Sequence, residues 1–289
     1  MNNLKINDFT FEWGTRTYVM GILNLTPDSF SGDGLADFDQ DTALQQARDY
    51  IQVGVDILDI GGESTRPGAA PVSAQEELDR VLPIINLLVG ESDTLISIDT
   101  YKAEVAEAAL KEGANIVNDV WGLRADPEMG KVVAAADAPV ILMHNRSTPN
   151  NAAVKEQLGG RYIGIEYDNL LEDVKSELQE SISLGHKAGI PDQRIILDPG
   201  IGFGKTVPQN LELLDRLNEI RQLGYPVLLG PSRKSFIGYT LDLPPDDRIE
   251  GTAATVAVGI VRGADIIRVH DVSEIIRVCR MTDALIRRK

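Results

Sequence analysis

The sequence predicts an α/β protein: one (β/α)8 barrel, a single domain carrying a short N-terminal β-hairpin. Two observations carry that expectation. Eight short apolar runs recur along the 289 residues, each ending on a polar residue or glycine, and neighbouring runs leave room for a helix between them. Continuous apolar runs suit strands buried on both faces, and strands alternating with helices favour a parallel sheet. Eight of them favour closure over an open doubly wound sheet, the alternative architecture. A polar residue at the carboxyl end of strand after strand is what a barrel uses to build a site on one rim.

Taken in order, residues 1–18 form the hairpin expected to close the bottom of a barrel spanning 19–289. Phe9, Phe11 and Trp13 alternate with polar residues, and Trp13-Gly14-Thr15-Arg16 is its expected turn. The barrel strands are Val19–Leu23 leading to Asn24, Ile57–Ile60 leading to Gly61-Gly62-Glu63, Leu95–Ile98 leading to Asp99, and Ile116-Val117 leading to Asn118. Val140–Met143 then leads to His144, Ile195–Leu197 to Asp198, Val227–Leu229 to Gly230 and Ile266-Ile267 to Arg268.

Helix signals lie between them. Ser73-Ala-Gln-Glu76 reads as a capping box before Leu78, Val81, Leu82, Ile85 and Leu88. Ala103, Ala106, Ala109 and Leu110 mark a second face. Leu170, Leu171, Val174, Leu178 and Ile182 mark a third, ended near Gly185 or Gly189. Leu211, Leu214 and Leu217 follow Pro208, and Asp271-Val-Ser-Glu274 reads as a cap for a final helix with Ile275, Ile276, Val278 and Cys279. The long stretches 24–38, 61–72 and 144–167 are candidate lids.

Composition narrows the function. Hydrophobic residues make up 43% and charged residues 25%, as in ordinary globular proteins. A net charge of −16 argues against a nucleic-acid surface, which needs a basic face, but leaves room for local positive charge at a small anionic ligand. The single cysteine, Cys279, excludes an internal disulfide and suits a reducing compartment. No secretory signal is visible and no apolar run nears the ~20 residues of a membrane span. A cytoplasmic protein with neither nucleic-acid nor membrane partners is expected.

The strand ends carry the chemistry. Asn24 offers a neutral oxygen suited to Mg²⁺, which needs few protein ligands. Asp99, Asn118 and Asp198, converging on one cavity, would hydrogen-bond a flat heterocycle rich in N–H donors. In the second loop, Arg66 suits a phosphate or a flat ring. Pro199-Gly200-Ile-Gly202-Phe-Gly204-Lys205-Thr206 fails as a nucleotide loop because the first required glycine is Pro199, and it reads as a turn that lets a ligand approach Asp198 and Phe203. Arg268 and His270, two apart on an extended segment after the eighth strand, join Lys234 as partners for an anion.

These segments together resemble dihydropteroate synthase, the folate-pathway family inhibited by sulfonamides. The resemblance runs from Val19 to His270 and rests on GILNLTPDSFS, DIGGESTRPGA, SIDT, NDV, LDPGIGFGK, GPSRKSFIG and RVHDV, in order. It implies a TIM barrel, usually dimeric, that forms 7,8-dihydropteroate from 6-hydroxymethyl-7,8-dihydropterin diphosphate and p-aminobenzoate, releasing diphosphate with Mg²⁺ assistance. It places the pterin on Asp99, Asn118, Met143, Asp198 and Lys234. The diphosphate falls to Asn24, Arg268 and His270, with Mg²⁺ on Asn24, and the p-aminobenzoate to Phe30, Thr65, Arg66, Pro67, Phe203 and Ser235. Asp28, Asp33, Arg66 and Lys234 are implied as catalytic.

One departure stands out: the family commonly reads Ser-Asp-Gly-Gly where this chain has Ser31-Gly32-Asp33-Gly34, so the acidic residue moves by one. A methyltetrahydrofolate-dependent corrinoid methyltransferase would share the pterin triad but leaves TPDSF and the basic pair unexplained. A non-catalytic pterin-binding paralogue has only the displaced Asp33 in its favour.

Overall fold

A computed structural model describes residues 2–26, 40–64, 69–147, 152–155, 158–162 and 165–287. Strands β1 (Leu4–Ile6) and β2 (Phe9–Phe11) form the antiparallel hairpin, Leu4 opposite Phe11 and Ile6 opposite Phe9. Its turn is Asn7-Asp8, with Asn7 at φ 52°, a conformation asparagine tolerates. The Trp13–Arg16 turn expected there is a separate one leading toward the barrel, closed by Thr15 N donating to Glu12 O at 3.1 Å.

Eight parallel strands follow. They are β3 (Tyr18–Asn24), β4 (Ile57–Gly61), β5 (Leu95–Asp99), β6 (Ile116–Asp119) and β7 (Val140–Met143), then, after a short antiparallel pair β8 (Ala152–Lys155) and β9 (Gly159–Tyr162), β10 (Ile195–Asp198), β11 (Leu228–Leu229) and β12 (Ile266–Val269). The sheet order is β10-β7-β6-β5-β4-β3-β12-β11, and a parallel bridge between Leu197 and Val227 joins its two ends into a barrel. The β8–β9 pair lies in the stretch after β7 that the sequence marks only as a loop.

Around the barrel lie α1 (Gln40–Val53), α2 (Ala74–Glu91), α3 (Ala103–Lys111), α4 (Met129–Ala135), α5 (Leu170–Ala188), α6 (Val207–Asp215), α7 (Leu217–Arg221), α8 (Ser235–Leu241), α9 (Ile249–Val261) and α10 (Val272–Ile286). Among the described residues no helix is long and apolar enough to cross a membrane.

The caps differ in detail from the sequence reading. Ser73 Oγ accepts from Glu76 N at 3.2 Å, but the Glu76 carboxylate turns to Arg80, so only half of the capping box forms. A full box closes α6 instead, between Thr206 and Gln209. Asp271 precedes α10 without capping it, because its carboxylate is taken by Arg233 at 3.0 and 2.5 Å. Gly189, at φ 96°, ends α5.

Strand pleat divides the core in two. Val19, Leu23, Leu58, Ile60, Val117 and Leu142 pack outward against helix residues such as Val81, Ile85 and Val174. Met20, Ile57, Leu95, Ile116, Ile141, Ile196, Leu228 and Ile266 point inward at the amino ends of the strands and pack with Leu4, Ile6 and Phe11. The hairpin therefore stoppers the barrel base, as the sequence reading expects. Two or four residues farther along the strands, the same inward register carries the rim.

Candidate active site

Counting by twos from that apolar base gives the site its membership. Met20 leads through Ile22 to Asn24, Ile57 to Asp59, Leu95 through Ser97 to Asp99, Ile116 to Asn118, Ile141 to Met143, Ile196 to Asp198 and Ile266 to Arg268. One face of one barrel thus passes from dry to polar over about two pleats, so residues far apart in sequence share one cavity.

Arg268 organises the centre. Its Nε donates to Asp59 Oδ2 at 2.5 Å and its terminal nitrogen donates to Asp99 Oδ2 at 2.5 Å. Asn118 Nδ2 donates to the same Asp59 oxygen at 3.2 Å. Asp59 is fully buried, and its Oδ1 makes no hydrogen bond among the described residues. Burial disfavours the Arg268 charge, yet Asp59 and Asp99 outweigh it and raise the guanidinium further above its ordinary range. For Asp99 burial wins: the carboxyl is pushed up to about 7, against the pull of Arg268.

Asp198 is buried at the end of β10, where burial raises its pKa; the Gly200 N–H, donating to Oδ1 at 2.7 Å, and the charges of Lys234, Arg268 and Lys205 work against that rise. Lys234 extends over Gly202, where a Cβ would come within 2.8 Å of its Cδ, and sets its ammonium 3.9 Å from the Phe203 ring centroid. The preceding residue aims it. Arg233 adopts φ 54°, pairs with Asp271, and has its carbonyl held by the buried Arg248 at 2.9 Å.

His270 joins the opposite side of the rim. Its backbone N–H donates to Ser232 Oγ at 3.1 Å, its Nδ1 lies 3.0 Å from the same oxygen, and its Nε2 lies 3.5 Å from Asn24 Nδ2. Tyr50 donates its hydroxyl to the His270 carbonyl at 2.5 Å. The second loop is anchored where it leaves β4: Arg80 donates to Gly62 O at 2.6 Å, and Lys102 bridges Glu63 and the buried Glu77.

The structure therefore brings Asn24, Asp99, Asn118, Met143, Asp198 and Arg268 onto one inner face, with Phe203 and Lys234 beside Asp198 and His270 beside Asn24. Ser235 opens α8 next to Lys234, half-buried. The expected cationic trio divides: Arg268 turns to Asp59 and Asp99, Lys234 to Phe203, His270 to Ser232 and Asn24. Asp28, Phe30, Asp33, Thr65, Arg66 and Pro67 lie outside the described residues. Asp59 escaped the sequence reading, although it is the one charged residue inside a strand run and sits two before Gly61. His144, with outward parity, faces α5 and not the cavity; its neighbours are Glu177 and Lys205. Among the described residues no three His, Cys, Asp or Glu side chains gather as a metal cluster.

This inner face can grip a flat ring through carboxylate and amide acceptors, with Arg268, Lys234 and His270 set around it. The pterin binding enzyme family matches residues 20–270. The dihydropteroate synthase of Clostridium beijerinckii is 50% identical over 286 residues, covering 99% of this chain and 100% of that protein. A crystal structure of the Clostridium difficile dihydropteroate synthase, in the presence of pteroic acid, superposes with a TM-score of 0.87 at 51% identity, over 96% of this chain and 100% of that one. The Xanthomonas albilineans dihydropteroate synthase in complex with 7,8-dihydropteroate superposes with a TM-score of 0.85 at 35% identity, over 98% of each chain. With this barrel, this rim and these relatives, the chain belongs to the pterin-binding enzymes and, among them, to the dihydropteroate synthase transferases.

Proposed function

We propose that the inner face performs the transfer as follows. The convergence of Asp99, Asn118 and Asp198 around Arg268 and Lys234 carries the reading: three acceptors meet a pterin's ring N–H groups, and Lys234 lies over the ring's edge near Phe203. Met143 packs against the pterin. The diphosphate extends toward Asn24, His270 and Arg268. The p-aminobenzoate approaches across Phe203 and Ser235, with Phe30, Thr65, Arg66 and Pro67 completing its surroundings.

Substitution is dissociative. The bond from the pterin methylene carbon to the diphosphate oxygen breaks, and its electron pair leaves with the diphosphate. Arg268 and His270 stabilise that developing charge, while the nearby carboxylates of Asp99 and Asp198 stabilise the cation-like methylene. The p-aminobenzoate amine then attacks the methylene carbon and gives up a proton. Asp28, Asp33 and Arg66 are the further residues assigned to assist the reaction.

Mg²⁺ fits this donor set. The Asn24 amide nitrogen faces His270, which turns its carbonyl oxygen away from the imidazole. One neutral oxygen beside a phosphorylated substrate suits an ion that keeps most of its waters. When bound, it supplies Lewis-acid charge to the departing diphosphate.

The protein acts as a homodimer in the cytoplasm. Val258 and Val261 on α9, with Met281, Leu285 and Ile286 on the adjoining α10, form an exposed apolar face suited to a second copy. A single buried cysteine, Cys279, suits a reducing compartment.

The test is diphosphate release from the pterin diphosphate, measured with and without p-aminobenzoate and with and without Mg²⁺. Release dependent on both is expected. Release indifferent to p-aminobenzoate overturns the transfer reading, and release indifferent to chelation overturns the metal assignment.

A further inference from the structure

Between Asp198 and α6 lies a cation that the reaction scheme leaves unused. Lys205 is 5% exposed, and its Nζ lies 2.9 Å from Gly200 O, 3.0 Å from Phe203 O and 3.0 Å from His144 Nδ1. An ammonium has three protons, and three acceptors surround it. His144 is 1% exposed, and burial together with the Lys205 charge pushes it down to about 4, so it faces Lys205 as a neutral acceptor. Acceptance at Nδ1 places the imidazole proton on Nε2, 3.2 Å from Glu177 Oε2 but too poorly aligned for a hydrogen bond.

The loop that Lys205 ties together has little slack. Gly200, Gly202 and Gly204 all adopt positive φ, and a Cβ on Gly200 would meet His144 O at 1.9 Å. Asn210 accepts from Gly202 N at 2.7 Å and donates to Lys205 O at 3.1 Å. This same loop presents two things to the cavity. One is the Gly200 N–H that holds the Asp198 carboxylate, and the other is the Phe203 ring on which Lys234 rests.

We propose that Lys205, backed by His144, is a positioning residue for the transfer reaction: it fixes the Gly200–Gly204 loop so that Asp198 and the Phe203–Lys234 pair keep the spacing both substrates require. Lys205 does not itself reach the reacting atoms, since its donors are engaged by the loop carbonyls and His144. The proposal rests on the reading of Asp198, Phe203 and Lys234 as substrate contacts. Without the ammonium, the Gly200 and Phe203 carbonyls and a buried imidazole nitrogen lose their donor. The loop must move to find water, and Asp198 and Phe203 move with it.

Full-length Lys205→Met, His144→Leu, their double variant and His144→Gln, compared with the unaltered enzyme by steady-state kinetics and thermal melting, test it. Lys205→Met is expected to raise KM for the pterin diphosphate and for p-aminobenzoate about tenfold, since small misplacements of binding groups weaken both contacts. The double variant should be no worse than Lys205→Met, because the two act as one unit, and His144→Gln, which keeps an acceptor, should recover most of the loss seen in His144→Leu. A merely structural lysine gives a different pattern: fewer active molecules, so kcat and melting temperature fall while both KM values stay put. That outcome overturns the proposal. If Lys205→Met does not fold, KM in His144→Leu decides by the same criterion. Asp198→Asn measured alongside separates the layers. Weaker pterin binding there, with KM unmoved in Lys205→Met, overturns only the positioning role. Unchanged pterin affinity in Asp198→Asn overturns the underlying site assignment and the positioning role with it.

Discussion

Asp198 and Lys205, seven residues apart, show how burial alone sets opposite demands on opposite charges. Asp198 accepts a backbone N–H and faces three cations, so the site can keep its carboxylate ready for a ring N–H. Replacing it with Asn removes a charge-assisted hydrogen bond, which contributes about 1.5–3 kcal/mol. Calorimetry with the pterin should show affinity falling at least about tenfold. Lys205 runs the other way. Burial pushes it down from 10.5 to about 7, with Asp198 and Glu177 favouring the charge and Lys234 and Arg146 opposing it. The ammonium with all three donors is therefore the folded form below about pH 7. From there to 10.5 the unfolded chain holds the proton more tightly than the folded chain, whose amine keeps two of its three N–H donors, so stability rises with pH across that interval. Denaturant titrations from pH 7 to 10 should show the unaltered protein gaining stability relative to Lys205→Met. A parallel pair of curves would reject the assignment.

At the scale of elements, the loop after β10 is held by sterics as much as by hydrogen bonds. Gly200→Ala meets both a positive φ and a Cβ position 1.9 Å from a backbone oxygen, with nothing flexible to yield. It should destabilise the fold by about 2–4 kcal/mol, read from denaturant midpoints at constant slope. Why some elements were legible in the sequence and others not follows from where their determinants sit. Barrel strands buried on both faces leave continuous apolar runs, so all eight could be read within a residue or two. Their pleat also fixed the rim, since Asn24, Asp99, Asn118 and Asp198 close runs whose parity is set at the base. β8 and β9, Ala-Ala-Val-Lys and Gly-Gly-Arg-Tyr, carry no alternation, and their small alanines and glycines give little of the β-branched or aromatic signal that marks a strand. Asp271 looks like a cap from its neighbours alone, but Arg233, 38 residues earlier, competes for it and wins. Lys205 depends on His144 from 61 residues away, a partnership no local pattern announces. Asp59 stands out as a charge inside an apolar run, but its role depends on Arg268, two strands away and 209 residues later.

For the whole molecule, the covered and uncovered surfaces matter together. The apolar face of α9 and α10 is unusual for a chain of net charge −16, which otherwise resists self-association. Val261 is 56% exposed there, so Val261→Glu should leave the monomer's melting temperature nearly unchanged. The same substitution should shift sedimentation toward the monomer; an unaltered sedimentation coefficient would move the interface elsewhere.

The stoppered base has a further consequence. Because the hairpin and the lower inward layer leave the barrel filled below the rim, the cavity is a cul-de-sac. Two substrates must arrive, and two products depart, through the same doorway. On the proposed site the pterin, held by Asp99 and Asp198, is the deeper of the two, which requires it to come in first. An aromatic amine seated ahead of it would bar its path. The sequence of traffic is thus written into the architecture: high p-aminobenzoate should slow turnover by blocking the way, with the pterin diphosphate relieving that block.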